Sequence, residues 1–345
     1  MRLAHSAAFA AALAVSAGLA PLGASAQEFT FRCQHFVSPN AAIPKYFIEP
    51  WTKAIEEQSG GRIKFEVYPA MQLGGSPAAL FDQIKDGVID CGWALPAYTP
   101  GRFPTTEALE QPFVSSTSAE ETSRAAWELT EKYSMDELKD IKVIAVHVHG
   151  PGVIHKKGGA VHKLEDLNGL KLRGPSRAAN GLLEAMGATP VGMPVPAFPE
   201  ALSKGVVDGG VIPEEITVPL KVHELSNGST YFSGNRALYN TFFIWGMNLD
   251  AYNSLPDDLK AVIDANAGME ASAMAGRAMD KGDEVMHGAI VGGGREIVVL
   301  PPEEVKRWKD VAAPLVAAWA RATPNGEAIL ADAKALVAKY SGAEE

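Results

Sequence analysis

One segment of the sequence combines residue types that suit the binding of a carboxylate. Leu170–Arg173 is a predicted strand, Gly174-Pro175 breaks it, and Ser176 follows in the position of a helix N-cap. An arginine at the end of a strand places its guanidinium at the mouth of a cleft, where the planar fork offers a carboxylate two charge-assisted hydrogen bonds. The helix that begins at Ser176 adds free N–H groups and a positive dipole end. Arg173 and Ser176 are therefore candidate ligand-binding residues, and Arg177 is either a second cation or a solvent-facing side chain.

Motifs for catalysis and for metal binding are missing from the sequence. It contains no Gly-rich phosphate loop, no G-x-S-x-G turn and no H-E-x-x-H motif. His147 and His149 alternate on a predicted strand with His155 downstream, but they lack a third and fourth partner at the usual metal-site spacing. We expect a binding protein that is not an enzyme and uses no metal or cofactor. A secreted enzyme and a metal-binding protein are the rival functions.

The composition describes an ordinary globular chain. Of 345 residues, 47% are hydrophobic and 21% are charged, which excludes a disordered, collagen-like or disulfide-dense protein. The length suggests two domains. With 31 Lys and Arg against 41 Asp and Glu, the net charge is −10. This charge argues against nucleic acid as a partner, but not against a small anion, because one cation inside a cleft outweighs a diffuse negative exterior.

The first 26 residues have the pattern of a secretory signal peptide. Met1-Arg2 gives a positive start, residues 3–22 are rich in Ala and Leu, and Ala24-Ser25-Ala26 fits the small-residue cleavage pattern. The alternative is a membrane anchor, but the run is weakly hydrophobic and no charges follow it to stop transfer. Gln27 rather than Cys follows the expected cut, which argues against a lipid anchor. We expect cleavage near Ala26 and a periplasmic protein.

Two cysteines, Cys33 and Cys91, lie in short apolar segments that are typical of strands. Outside the cytoplasm they could form a disulfide if the two strands are neighbours. The alternative is two buried thiols. The sequence leaves both possibilities open.

Strand and helix signals alternate along the chain, which predicts an α/β fold. The opening β-α-β-α-β pattern is typical of a parallel sheet covered by helices. Gly150-Pro151-Gly152 ends the strand-like segment Ile141–Val148, the alternation then restarts, and residues 256–292 are predicted to form one long helix. We expect two lobes with a ligand cleft between them. The expected division is residues 27–149 plus 240–278 for the first lobe and residues 150–239 plus 279–345 for the second.

Several segments, in this order, resemble the solute-binding subunits of tripartite ATP-independent periplasmic (TRAP) transporters of the dicarboxylate-binding type. No single piece is decisive, but their order and number together are highly specific. The matching segments are Ser59–Ile63 (SGGRI), Tyr68–Gly74 (YPAMQLG), Ile84–Asp90 (IKDGVID), Leu164–Arg173 (LEDLNGLKLR), Met186–Val191 (MGATPV), Ala201–Gly209 (ALSKGVVDG) and Leu255–Leu259 (LPDDL).

The resemblance implies a periplasmic protein of two α/β lobes that closes on an organic acid and delivers it to integral membrane subunits. In that family the Arg of the L-K-[LI]-R motif grips the ligand carboxylate, and this motif maps onto Arg173. The long helix after Leu255-Pro256 corresponds to a helix that spans both lobes. Members of the family are mostly monomers, so we expect a monomer. A binding protein that serves an ATP-driven importer or a sensor is the alternative partner assignment.

Departures from the sugar-acid-binding members favour an apolar pocket. Ile212 and Leu95 stand where those members carry polar side chains, and aromatic residues border the same region. The ligand-binding candidates that follow from this comparison are Trp93, Leu95, Tyr98, Ile212, Phe242 and Trp245, with His35, His149 and Tyr98 as hydrogen-bonding candidates. We therefore expect an aromatic or branched monocarboxylate, or its 2-oxo form. A sugar acid or a dicarboxylate is the alternative ligand.

Overall fold

The computed structural model describes residues 27–342, so the expected signal peptide lies outside the described residues. Eleven strands form two sheets within this range. The strands are β1 (Phe29–Gln34), β2 (Ile63–Tyr68), β3 (Cys91–Ala94), β4 (Ile141–Val148), β5 (Val153–Lys156), β6 (Lys171–Gly174), β7 (Thr189–Gly192), β8 (Gly209–Ile212), β9 (Gly228–Phe232), β10 (Phe242–Asn248) and β11 (Glu296–Leu300).

Each sheet is the centre of one lobe. The first sheet has the strand order β2-β1-β3-β10-β4, in which β1 pairs in parallel with β2 and β3 while β10 runs antiparallel to β3 and β4. The second sheet has the order β11-β9-β5-β8-β6-β7, in which β5 runs antiparallel to both of its neighbours. The chain passes from the first sheet to the second between β4 and β5, where Gly150-Pro151-Gly152 lies.

Helices cover both sheets. They are α1 (Glu49–Gln58), α2 (Leu80–Lys85), α3 (Ala119–Tyr133), α4 (Arg177–Ala185), α5 (Phe198–Ser203), α6 (Glu214–Thr217), α7 (Val222–Leu225), α8 (Leu249–Asn253), α9 (Asp257–Ala265), α10 (Met269–Val291), α11 (Pro302–Ala322) and α12 (Gly326–Ser341). A π-helical turn, Pro44–Ile48, leads into α1, and short 3₁₀ turns include Pro96–Tyr98, Thr106–Glu110 and Val195–Ala197. No helix within residues 27–342 has the length and apolar character needed to cross a bilayer.

The expected single helix over residues 256–292 is wrong, because the structure divides it into α9 and α10. The break falls at Asn266-Ala267-Gly268, where Gly268 has a φ of 88° that a helix cannot accommodate. The N–H of Gly268 instead donates to the carbonyl of Ile144 on β4, at 2.8 Å. The break therefore fixes the start of α10 on the first sheet.

Helix α10 packs against elements of both lobes. Its contacts include α3 and β4 of the first lobe, and also α6, which follows the second-sheet strand β8. Two glycines make these approaches possible. A Cβ on Gly276 would lie 2.6 Å from the carbonyl oxygen of Ala119, and one on Gly282 would lie 2.7 Å from the Cβ of Glu215. A helix that spans both lobes is thus present, but it is α10 alone.

The last helix packs on the first lobe. Lys339 and Tyr340 of α12 bond to Glu128 of α3, with Nζ of Lys339 2.6 Å from the carboxylate, and Lys132 pairs with Asp332. The expected division placed residues 279–345, which include α12, in the second lobe. In the structure α12 packs instead against α3 of the first lobe. The boundaries of the lobes otherwise stay a prediction.

Cys33 and Cys91 form a disulfide that joins two neighbouring strands. The two residues are register partners in the parallel pair β1–β3, and their Cα atoms lie 4.4 Å apart. Both are fully buried in the first lobe. Of the two possibilities that the sequence left open, the structure therefore has the disulfide.

We expect reduction of this disulfide to lower the free energy of unfolding by about 2–4 kcal/mol, because it closes a loop and restricts the unfolded chain. The cysteines are 58 residues apart. Urea unfolding of the mature chain with and without reductant measures the effect. The double variant Cys33→Ala, Cys91→Ala should match the reduced protein and show no response to reductant. Equal unfolding midpoints for the oxidised and reduced wild type would contradict the expectation.

Candidate functional site

A cavity lies between the lobes, at the ends of strands from both sheets. Counted with its opening to solvent, the space between the lining residues is about 420 Å³. The first lobe contributes residues after β1, β3 and β4 and at the start of β10, and the second lobe contributes residues after β6 and β8. The lining residues are Phe36, Val37, Ala41, Ile43, Trp93, Leu95, Tyr98, His149, Arg173, Pro175, Val195, Pro213, Glu215, Ile216, Tyr239, Thr241 and Phe243.

Arg173 is the cation of this cavity. Its side chain is only 2% exposed, and the backbone holds it on the second-lobe side. Nε donates to the carbonyl of Met193 and Nη1 to the carbonyl of Val211, both at 3.0 Å. Within residues 27–342 it forms no ion pair with a carboxylate, although the chain has an excess of acids. A buried cation without an anion is costly, and an anion bound beside Arg173 would offset this cost.

Three stacked aromatic rings form the opposite wall. The ring of Trp93 lies between Phe36 and Phe243, with centroid distances of 4.6 and 4.5 Å and interplanar angles of 14° and 9°. The indole N–H of Trp93 donates to Nε2 of His147 at 2.8 Å. Burial lowers the pKa of His147 to about 3, so its Nε2 is an unprotonated acceptor at neutral pH. His147 thus fixes the orientation of the Trp93 ring. Within residues 27–342 there is no group of three or more His, Cys, Asp or Glu side chains that could hold a metal ion.

Neutral hydrogen-bonding groups complete the lining near Arg173. Nδ1 of His149 lies 2.6 Å from the carbonyl oxygen of Gly150, and burial lowers the pKa of this imidazole to about 4. The hydroxyl of Tyr98 accepts from the backbone N–H of Val195 at 2.8 Å, a contact between the two lobes. The hydroxyl of Tyr239 is buried and has no hydrogen-bond partner within residues 27–342. Burial raises the pKa of both tyrosines, so both are neutral donors.

The structure brings half of the candidate residues together in the cavity. Arg173, Trp93, Leu95, Tyr98 and His149 all line it. Their contact with a ligand stays a prediction. They come from three separate segments, and the carboxyl ends of strands in both sheets bring them together.

Three aromatic or apolar candidates do not line the cavity: Phe242, Trp245 and Ile212. The adjacent residue in the chain lines it in place of Phe242 and of Ile212. On β10, Phe243 faces Trp93, and alternation directs Phe242 to the opposite face of the sheet. Trp245 lies on the same face as Phe243 but two residues deeper, under Trp51. Ile212 is buried in β8, and the following residue, Pro213, reaches the cavity instead.

Two polar candidates also lie outside the lining. Ser176 caps α4, where its hydroxyl accepts from the backbone N–H of Ala179 at 3.2 Å. His35 is buried beside the first sheet, next to the lining residue Phe36, and burial lowers its pKa to about 4. The possible second cation, Arg177, pairs with Glu107 of the first lobe at 2.6 Å. Arg177 therefore joins the lobes outside the cavity.

Among the polar lining residues that sequence reasoning missed are Glu215 and Tyr239. Glu215 follows the end of β8 by three residues, and this position alone could have marked it as a cleft residue. Tyr239 lies in an irregular segment between β9 and β10, where no motif or periodicity identified it. Both side chains are at most 5% exposed.

We expect His155, which does not line the cavity, to make the folded state sensitive to acid. Burial lowers its pKa to about 3, whereas the imidazole in an unfolded chain titrates near 6.5. The unfolded state therefore takes up a proton that the folded state does not, so the stabilising contribution is full above pH 6.5 and is lost as the pH falls towards 3. Lowering the pH from 6.5 to 4.5 should therefore reduce the free energy of unfolding by about 2 kcal/mol through this residue.

The substitution His155→Gln isolates this effect. Its stability deficit relative to the wild type should shrink as urea unfolding is measured at pH 7.5, 6.0 and 4.5. Ser229→Ala is the matched control, because it removes the 2.9 Å hydrogen bond to Nδ1 and keeps the imidazole. Its deficit should not shrink. A constant deficit for His155→Gln over this range would show that His155 titrates normally.

The sequence pattern of the bacterial extracellular solute-binding proteins of family 7 matches residues 33–322. The chain belongs to this family. The family consists of the substrate-binding proteins of transporters, which confirms the resemblance that the sequence motifs carried.

Three solved structures are similar to this family 7 protein over nearly its whole length. A TRAP solute-binding protein from Rhodoferax ferrireducens T118, in complex with copurified benzoate, is 43% identical with a TM-score of 0.88, over 91% of this chain and 98% of that one. A marine metagenome TRAP solute-binding protein specific for aromatic acid ligands, in complex with 3-hydroxybenzoate, is 42% identical with a TM-score of 0.89, over 91% and 99%. A TRAP periplasmic protein from Bordetella bronchiseptica, with bound (R)- and (S)-mandelate, is 29% identical with a TM-score of 0.84, over 90% and 99%.

These similarities confirm the two-lobe α/β fold. The family 7 protein is a TRAP-type extracytoplasmic solute-binding protein.

Proposed function

We propose that the protein binds an aromatic monocarboxylate between its lobes and presents it to the membrane subunits of a TRAP transporter in the periplasm. The single observation that carries this proposal is the buried guanidinium of Arg173, without an acidic partner in the described chain, in a cavity that also holds the Trp93 stack. The guanidinium suits one carboxylate, and the aromatic wall suits a ring. The ligands of the three similar proteins, benzoate, 3-hydroxybenzoate and mandelate, support this class.

In this proposal Arg173 anchors the carboxylate, and Trp93, Leu95, Tyr98 and His149 contact the remainder of the ligand. The chain acts by hinged closure, in which an open form captures the acid and the closed form is recognised by the transporter. The role is binding and release without chemistry on the acid. We further propose that residues 1–26 are removed on export and that the mature chain acts as a monomer.

A panel of acids tests the ligand class. The mature chain is unfolded and refolded to remove copurified ligand, and its thermal midpoint is measured with benzoate, mandelate, cyclohexanecarboxylate, galactonate and galacturonate. Benzamide serves as the uncharged match to benzoate. A ligand at a thousand times its dissociation constant stabilises by about 4 kcal/mol, which raises the midpoint by several degrees. Benzoate should do so and benzamide should not. A response to the sugar acids alone would overturn the proposed ligand class.

A further inference from the structure

Glu215 places a buried carboxyl group in the wall of the cavity without a partner. The residue lies on α6 and is 5% exposed. Its backbone N–H is engaged, donating to Oδ1 of Asp283 on α10 at 2.8 Å. Its side-chain carboxyl, by contrast, makes no hydrogen bond or ion pair to any residue in the described chain. Arg173 lines the same cavity and does not pair with it.

The surroundings of Glu215 keep its carboxyl group neutral. Burial raises its pKa to about 8, so it carries a proton at neutral pH. The charged or titratable groups around it are Asp283 from α10, the neighbouring Glu214 on α6, and the other such residues of the lining, Arg173, Tyr239, Tyr98 and His149. Asp283 also has a raised pKa, because it is buried beside Glu215. A protonated carboxyl offers one hydrogen-bond donor and one acceptor.

The remainder of the cavity contains little that could satisfy this group. Ile216 and Pro213, the lining residues nearest to it in sequence, have apolar side chains. The buried hydroxyl of Tyr239 is also unpartnered, and it interacts electrostatically with both Arg173 and Glu215. Buried polar groups without partners destabilise a protein, so a ligand that supplies a partner gains affinity over one that does not.

We propose that Glu215 is a specificity-determining residue that hydrogen-bonds a hydroxyl substituent of the ligand. This inference rests on the proposed function, in which Arg173 takes the carboxylate. A hydroxyl group is both donor and acceptor and so matches a protonated carboxyl. An unsubstituted ring leaves Glu215 unpaired, and a second carboxylate would be buried in a cavity whose lining has no Lys or Arg besides Arg173. The preferred ligand is therefore a hydroxylated aromatic monocarboxylate rather than an unsubstituted acid or a dicarboxylate.

Calorimetric titration tests this with matched ligands. They are benzoate, its 2-, 3- and 4-hydroxy isomers, the methoxy analogue of the tightest isomer, and isophthalate. We expect the wild type to bind one hydroxy isomer at least 10-fold more tightly than benzoate. Glu215→Gln keeps a donor and an acceptor and should retain this preference, whereas Glu215→Leu should reduce it below 3-fold while benzoate affinity holds or rises. Glu214→Gln is the control, because Glu214 bonds to His287 and Tyr231 instead.

A pH series separates hydrogen bonding from a merely structural role. The ratio of wild-type affinities for the hydroxy isomer and its methoxy analogue should rise between pH 7 and 8.5, because ionised Glu215 only accepts hydrogen bonds and a methoxy group cannot donate one. In Glu215→Gln this ratio should stay constant. If the preference for the hydroxy isomer over benzoate survives in Glu215→Leu, or is absent from the wild type, the role of Glu215 is overturned. The proposed function still stands in that case, provided that benzoate binds. Failure of benzoate and all its hydroxy isomers to bind the wild type overturns the proposed function as well.

Discussion

Replacing Arg173 by Ala is expected to weaken the binding of benzoate by about 10²–10³-fold, equal to about 3–4 kcal/mol. The guanidinium is the cation that lines the cavity, and the carbonyls of Met193 and Val211 fix its orientation. Without it, a carboxylate would enter a largely apolar site and lose its hydration without compensation. Calorimetric titration of ligand-free wild type and variant measures the loss.

Two further variants make the Arg173 result specific. Lys171→Ala removes a cation two residues earlier on β6, where the side chain is exposed, and should leave affinity unchanged. Arg173→Lys keeps the charge but loses the fork that gives two parallel hydrogen bonds, so its affinity should lie between those of wild type and Arg173→Ala. Benzoate binding by Arg173→Ala at wild-type strength would show that the carboxylate binds elsewhere.

Replacing Trp245 by Ala is expected to lower the free energy of unfolding by about 3–5 kcal/mol. The side chain is fully buried and packs edge-on against Trp51 and Phe47, with ring centroids 5.8 and 6.4 Å away. Since it does not line the cavity, the benzoate affinity of the folded variant should change little. Urea unfolding measures the first effect and calorimetry the second.

Phe243→Leu is the counterpart on the same face of β10. This ring stacks on Trp93 and lines the cavity, so the variant should bind benzoate about 3- to 10-fold more weakly, the value of one aromatic pair, with a smaller loss of stability than Trp245→Ala. Should Trp245→Ala instead lose affinity and keep its stability, Trp245 would be a ligand residue and not a core residue.

Short-range patterns in the sequence were sufficient to predict the fold class and the position of Arg173. Alternating strand and helix signals identified the α/β class, and strand Ile141–Val148 has its predicted bounds. The Gly-Pro turn and helix cap after Arg173 were sufficient to predict that its guanidinium lies at the cleft, because a strand end followed by this pattern can adopt few other backbone conformations. The capping serine, Ser176, was equally recognisable, although its hydroxyl serves the helix.

What the sequence could not supply depends on tertiary packing. The choice between Phe242 and Phe243 is a matter of strand register, and a shift of one residue reverses the face. The Glu215 carboxyl and the Tyr239 hydroxyl can be recognised as candidate ligand-binding groups only when their burial, and their lack of hydrogen-bond partners within the described residues, are known. Gly268 breaks the long helix through a hydrogen bond to Ile144, a contact between segments far apart in sequence.

A crystal structure of the refolded mature chain with benzoate tests the central claim most directly. We expect electron density for the carboxylate within hydrogen-bond distance of the Arg173 guanidinium, with the ring against the wall formed by Phe36, Trp93 and Phe243. Benzoate bound outside this cavity, or inside it with the carboxylate turned away from Arg173, would contradict the account.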